Sequence, residues 1–308
     1  MKKAFLCFVF IALAPVFALA DSISLALEND CMSLPKKDSE YSHGTELTYM
    51  ADSGWWVFDN VGFEVEQTMY GPKLDNTDRM VQGEHPYCGY LSLNLLGNQY
   101  FDLDWSMLTL QHSLGFGLVG PHSYAEQSQK YIHAWLGCKD PKGWKKWQIR
   151  DEFIAQYELY ANLNIKVLEA GDFGMFVIPR AGVQAGGFKD ALNAGVDLKF
   201  GFNVPYNVGS GIILSAPAPR GVNSPWSCYL LAGVEGKCIF HDTATEGGFF
   251  RDSPYTLDAE PWVGEFHWGV GVKYKAVQLE YANIIRTKEF ETNDRRPNYG
   301  RLVLTVNF

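Results

Sequence analysis

The chain has 308 residues and a formal net charge of −9, with 35 acidic against 26 basic side chains, a balance that excludes nucleic acid as a partner. It is 47% hydrophobic and 15% aromatic, yet after the first twenty positions no uninterrupted apolar run reaches ~18 residues, which excludes membrane-spanning helices. The apolar residues recur instead at alternate positions in many short segments, the pattern of strands that turn one face to lipid.

Met1-Lys2-Lys3, the apolar run from Ala4 to Leu19 and the small-x-small ending Ala18-Leu19-Ala20 predict a signal peptide over residues 1–20, with the mature chain starting at Asp21. Residues 21–308 then predict an all-β fold, a twelve-stranded antiparallel transmembrane β-barrel. Period-two alternation bounded by Gly, Pro, Asn or Asp places the strands near 22–28, 43–50, 61–70, 89–96, 106–117, 148–161, 173–186, 191–202, 226–240, 262–273, 276–286 and 300–308. In the last, Leu302, Leu304, Val306 and Phe308 share a face, and the chain ends on an aromatic residue as outer-membrane strands do. A soluble β-sandwich is the competing architecture for such a strand.

An even strand number puts both termini on the periplasmic side. The connections near 29–42, 71–88, 118–147, 187–190, 241–261 and 287–299 then face outward, and function is expected there. One of them contains a helix. Gly120-Pro121 breaks the preceding strand, Ser123 and Glu126 have the spacing of a capping box, and Gly137 suits a C-terminal stop, predicting a helix over about 124–136.

Six cysteines are present; without Cys7, five remain, Cys31, Cys88, Cys138, Cys228 and Cys238. Their odd number leaves at least one unpaired, and the absence of C-x-x-C argues against a zinc or redox site, so they read as small buried or lipid-facing residues.

Gln129 and His133 lie four apart on the loop helix and address one region of space. A second constellation is Glu28-Asn29-Asp30 at the outer end of the first strand, with Asp38-Ser39-Glu40-Tyr41-Ser42-His43-Gly44 where the second begins. Antiparallel pairing brings these two stretches to one rim, where their carboxylate, amide and hydroxyl oxygens are donors of the kind calcium selects. Asx-turn chemistry at a strand end explains Asn29 and Asp30 equally well without metal.

The order E-N-D, D-x-x-Y-S-x-G at 38–44, M-Y-G-P at 69–72, P-Y-C-G-Y at 86–90, then G-L-V-G-P at 117–121 running into E-Q-x-Q-x-x-x-H-x-x-x-G at 126–137, with Gly143-Trp144, Gln148 and R-T-K-E-F at 286–290, resembles the lipid A 3′-O-deacylase family. That resemblance implies a twelve-stranded outer-membrane barrel of a Gram-negative bacterium, monomeric, acting on lipid A or lipopolysaccharide. It implies calcium-dependent removal of the 3′-linked acyloxyacyl chain at a site between barrel wall and loop helix, toward the outer leaflet. By the same correspondence Asn29 and Asp30 match the family's Asn-Asp pair, Ser42 its Thr or Ser, Gln129 its Gln and His133 its His. Asp30, Asn29 and Ser42 are then the expected calcium ligands.

Ester hydrolysis requires a deprotonated water, for which an imidazole is suited, and positive charge or donors at the developing oxyanion, which calcium with Asn29 or Ser42 would supply. Gln129 is expected to orient the His133 ring. Covalent catalysis by Ser42 competes, but Ser42 lacks a G-x-S-x-G elbow. The typical acidic residue after the helix glycine has its counterpart in Asp140, and the usual Asp-Arg before Pro-Tyr is Glu84-His85, so that a basic contact to phosphate or sugar acid is either lost or replaced by His85. Lys73, Arg79 and Lys139 are further candidates for binding the anionic headgroup. The competing functions are an outer-membrane phospholipase and a non-catalytic porin or adhesin.

Overall fold

A computed structural model describes residues 22–35, 41–51, 55–73, 77–137, 139–205, 224–293 and 296–307. The expected signal segment 1–20 and mature start Asp21, the stretch Asp38-Ser39-Glu40, Cys138 and Phe308 lie outside the described residues.

Twelve strands close into one barrel in which each pairs antiparallel with its chain neighbours and β1 closes on β12. They are β1 (Ser22–Asn29), β2 (Tyr41–Ala51), β3 (Asn60–Tyr70), β4 (Cys88–Leu103), β5 (Ser106–Val119), β6 (Glu152–Ala170), β7 (Phe173–Ala185), β8 (Lys189–Phe202), β9 (Trp226–Asp242), β10 (Trp262–Tyr274), β11 (Val277–Arg286) and β12 (Asn298–Asn307). Closure leaves no unpaired strand edge, the condition for carrying a β-sheet through hydrocarbon. Three short helices lie in outward connections: α1 (Ala125–Leu136), α2 (Trp144–Trp147) and α3 (Thr243–Glu246). No helix among the described residues is long and apolar enough to cross a membrane.

All twelve expected strands are present, with shifted ends. β6 starts at Glu152 rather than near 148, because Trp144–Trp147 turns into a helix and Gln148 forms a parallel bridge with Tyr87. At the opposite end β4 and β6 run on to Leu103 and Ala170, where polar residues on both faces hide the alternation from the sequence. The capping box does not form. Tyr124, in the left-handed region at φ 58°, precedes α1, and the Ser123 hydroxyl donates back to Gly120 O at 2.6 Å. Glu126 pairs instead with Lys130 one turn on. Gly137 does end α1, at φ 73°, its N–H reaching His133 O.

The alternation sorts the barrel inside out relative to a soluble protein. Leu93, Leu95, Leu114, Phe116 and Phe153 are exposed on the outer face. The lumen holds buried charges instead. Arg180 bridges Asp197 and Glu235, His267 meets Asp197 at 2.8 Å, and Lys237 and Arg286 both contact Glu265. At the closure seam Arg301 of β12 donates to Glu28 of β1 and, through two nitrogens at 2.7 Å each, to both Glu46 oxygens of β2.

The outward mouth of this lumen is crossed by loops. Tyr255 Oη accepts from Gly83 N and donates to Glu84 O, Thr292 Oγ1 donates to Gly83 O, and His85 stacks on Tyr70 with its centroid at 5.0 Å while meeting Phe290 edge-on. The lumenal pocket below measures about 170 Å³. A charge-filled lumen capped this way argues against a porin.

Arg301 is 2% exposed, so removing its charge strands the buried Glu28 and the half-buried Glu46 carboxylates side by side. Arg301→Gln is expected to destabilise the barrel by ~3–5 kcal/mol, the cost typical of breaking a buried ion pair. The temperature at which the folded form stops migrating as a compact species in detergent electrophoresis measures this; an unchanged transition would refute the role given to the seam.

Candidate active site

The rim above the Arg301 clamp is shaped by one extra residue. Tyr41 pairs with Tyr70 but His43 pairs with Met69, so Ser42 is a β-bulge residue with no partner in the ladder. The bulge lets Tyr41 point inward, where its hydroxyl donates to Glu28, while His43 faces the outer wall. Gly44 lies against that contact: a Cβ there would stand 2.2 Å from Tyr41 Oη and 2.9 Å from Glu28 Oε2. The Y-S-x-G spacing thus reads as inward Tyr, bulged Ser and a glycine that leaves room.

The bulge frees the Ser42 carbonyl from the ladder, and Asn29 takes it. Asn29 Nδ2 donates to Ser42 O, while Asn29 Oδ1 accepts from Cys31 N at 2.8 Å and caps the single 3-10 turn Asp30–Met32. Asn29, Asp30 and Ser42 are therefore brought together as expected, with Asp30 buried at the base of the turn and Ser42 half-buried.

α1 docks on the outside of the barrel, over β3 and β4. Gly89 permits the approach, since a Cβ there would stand 2.2 Å from Ser123 Oγ and 2.3 Å from Ala125 Cβ. Gln67 Nε2 donates to Ser123 O at 2.6 Å from the wall beneath. Met69, Tyr87, Ala125 and Trp144 pack into one buried cluster between helix and wall.

That cluster connects the two constellations. Gln129 is buried and its Oε1 accepts from Trp144 Nε1 at 2.6 Å; the Trp144 and Tyr87 ring centroids are 4.9 Å apart. Tyr87 in turn flanks Gly71, beside Ser42, as a Cβ on Gly71 would be 3.3 Å from the Tyr87 ring and 3.9 Å from Ser42 Oγ. Gln129 is thus occupied in positioning Trp144. His133 has the Lys139 carbonyl 2.6 Å from its Nδ1. A carbonyl only accepts, so this bond puts the proton on Nδ1 and the basic lone pair on Nε2 in the neutral ring.

Between α1 and the wall runs a groove of about 670 Å³, lined by Leu47, Phe63, Val65 and Leu91 from the barrel, Ile132 from the helix and His43 near its outer end. It lies on the lipid-facing side of the strands, outside the lumen. A chain of methylene groups suits such a lining.

The remaining sequence candidates scatter. Lys73 is half-buried with its N–H on Glu84 Oε2, Arg79 is exposed with its N–H on Thr77, and Asp140 is exposed immediately after Lys139. His85 is 3% exposed beneath the mouth of the barrel, its Nδ1 at 2.7 Å from Pro86 O, and cannot offer the headgroup contact expected of it. Cys88 is buried, Cys238 is half-buried, and Cys31 and Cys228 are exposed. The sequence reading missed Trp144, although Gly143-Trp144 was among the motif residues.

Among the described residues no three His, Cys, Asp or Glu side chains converge as metal ligands. What the β1 rim offers is one carboxylate, Asp30, with the amide and hydroxyl oxygens of Asn29 and Ser42. An all-oxygen set of low charge fits a hard cation held weakly.

No curated protein matches the chain by sequence. Among solved structures, LpxR from Salmonella typhimurium superposes with a TM-score of 0.80 at 20% identity, covering 93% of this chain and 100% of that one. The β domain of the Bordetella autotransporter BrkA matches with a TM-score of 0.50 at 12% identity, covering 94% of this chain and 100% of that one. Those likenesses establish the barrel fold. The sequence profile described as outer membrane protein LpxR matches residues 4–308, and the chain belongs to that family of outer-membrane proteins.

Proposed function

We propose that the protein is a lipid A 3′-O-deacylase, a hydrolase that releases the 3′-linked acyloxyacyl chain by attack of water on the ester, with His133 as general base and calcium assisting. The observation that carries this reading is the membrane-facing groove roofed by α1, together with the carbonyl-bound imidazole on that same helix. An acyl chain lying in the groove would stay on the lipid side of the barrel while its ester reached the outer rim. His133 Nε2 takes the proton from the attacking water, and the Lys139 carbonyl holds the resulting imidazolium through Nδ1. Trp144 and Gln129 keep α1 at a fixed height over the wall. Asp30, with oxygens of Asn29 and Ser42, would hold the calcium, whose positive charge would offset the negative charge developing on the ester oxygen. Lys73 and Arg79 remain candidates for the anionic headgroup, with Asp140 beside the loop helix.

Mass spectrometry of lipid A from cells with and without the gene tests the reaction class. Loss of the 3′ acyloxyacyl chain is expected; unaltered lipid A with fatty acid released from glycerophospholipid would replace this reading by a phospholipase. His133→Ala should lower turnover by ~10²–10⁴, the range of general-base catalysis, and rising pH should restore part of it as hydroxide replaces the base.

Chelation should abolish turnover while leaving barrel melting unchanged, because strand pairing does not depend on the rim oxygens, and Asp30→Ala should behave as the chelated protein does. With a single carboxylate the calcium affinity is expected in the range ~10⁻⁵–10⁻³ M. Full turnover in excess chelator would remove calcium from the mechanism.

Ser42→Ala should retain measurable activity, having lost only a ligand or donor. An acyl group trapped on Ser42 with a slowly hydrolysed ester would show covalent catalysis instead.

A further inference from the structure

Residues 139–150 carry five cations and one carboxylate in a chain whose net charge is −9. Two of those cations are engaged locally: Lys146 pairs with Asp78 at 3.0 Å, and Arg150 Nε donates to Asp252 O at 2.9 Å. Lys139, Lys142 and Lys145 are exposed, and among the described residues no carboxylate pairs with any of them.

The segment that presents them is firmly anchored. Trp144 is 1% exposed, inserted between Tyr87 and Gln129. Ile149 N donates to Tyr87 O at 2.8 Å, and Trp147 Nε1 donates to Asp78 O at 3.0 Å. The backbone from Trp144 to Ile149 is thus held against the barrel. A short run of exposed ammonium groups without carboxylate partners attracts a partner that supplies negative charge.

Their position indicates which partner. Lys139 lends its carbonyl to His133, and Lys145 follows the tryptophan that touches Gln129, so the cations border the helix that roofs the lipid-facing groove. A molecule with its apolar chain in that groove would project its polar head outward past this segment.

We propose that Lys139, Lys142 and Lys145 form a docking site for the phosphorylated headgroup of an outer-leaflet glycolipid. This rests on the reading of the groove as an acyl-chain site. Phosphate bound here would explain how a net-acidic protein retains an anionic lipid: the opposing charge is concentrated in one short anchored segment.

The test measures binding of the full-length protein in detergent, with chelator present to stop turnover, to phosphorylated and to dephosphorylated lipid A at low and high salt. The variant K139Q/K142Q/K145Q, checked for an unchanged melting temperature, should bind the phosphorylated lipid at least about tenfold more weakly, lose most of the salt dependence, and bind the dephosphorylated lipid as the wild type does. The control K273Q/K275Q, at the periplasmic end of β10 and its turn to β11, should match wild type on both lipids. Equal weakening on both lipids, no weakening, or loss in the control would overturn the proposal. So would inorganic phosphate alone competing at the lipid's own concentration, which would mark a free-anion site. Acyl release is scored separately: lysine-dependent binding without any release would sink the hydrolase reading alone, whereas release by a variant indistinguishable from wild type on both lipids would sink this one.

Discussion

The Arg301 guanidinium joins the first, second and last strands at the place where the barrel must close. Glu28 and Glu46 face the lumen from adjacent strands, and without a shared cation their proximity would oppose the β12–β1 and β1–β2 pairings that bring them there. A planar donor fork can serve two carboxylates at once, which a lysine ammonium does less well. The rim that carries Asn29, Asp30 and Ser42 stands directly on this seam. Glu28 also accepts from Tyr41, Tyr41 is inward because Ser42 bulges, and the bulged carbonyl anchors Asn29 beside Asp30. Closure of the fold and assembly of the oxygen cluster are consequences of the same few contacts.

A second constraint follows from the solvent. The outer surface faces hydrocarbon, so polarity is reserved for the lumen, and polar groups on the outer wall have to be covered. α1 provides that cover where the wall carries His43, Thr45 and Gln67. The helix is tied to the wall through the Met69, Tyr87, Ala125 and Trp144 cluster and through hydrogen bonds from Gln67 and Trp144. This explains why polar residues and a tryptophan, rather than a leucine stripe, fill the motif around residues 126–148.

The strands and their order were legible because alternation is a local property: each segment declares its lipid-facing side without reference to the others. Asn29, Asp30 and Ser42 were legible as neighbours because antiparallel pairing alone brings them to one rim. What the sequence concealed depends on long-range geometry. Nothing local distinguishes His85, buried between Tyr70 and Phe290, from an exposed basic residue that would meet a headgroup. The partner of His133 is a backbone carbonyl, present at every position and therefore without a side-chain signature. Gln129 has the right spacing to address the ring, and its oxygen also accepts from an indole fifteen residues downstream, a contact that spacing on the helix does not reveal. The capping box failed for a similar reason, since Ser123 is drawn to the Gly120 carbonyl at the end of the strand.

The groove opens on the outside of the cylinder rather than into its interior, and that fixes the dimension in which the protein works. On the proposed reading of the groove as an acyl-chain site, a lipid would reach Phe63 and Ile132 by lateral diffusion within the leaflet, without crossing water and without passing through the lumen. Occupancy then follows the mole fraction of the lipid in its surface, not its bulk concentration. Diluting that surface with inert amphiphile would slow encounter even at constant total lipid, and the barrel is in this sense an immersed wall along which a two-dimensional fluid is sampled.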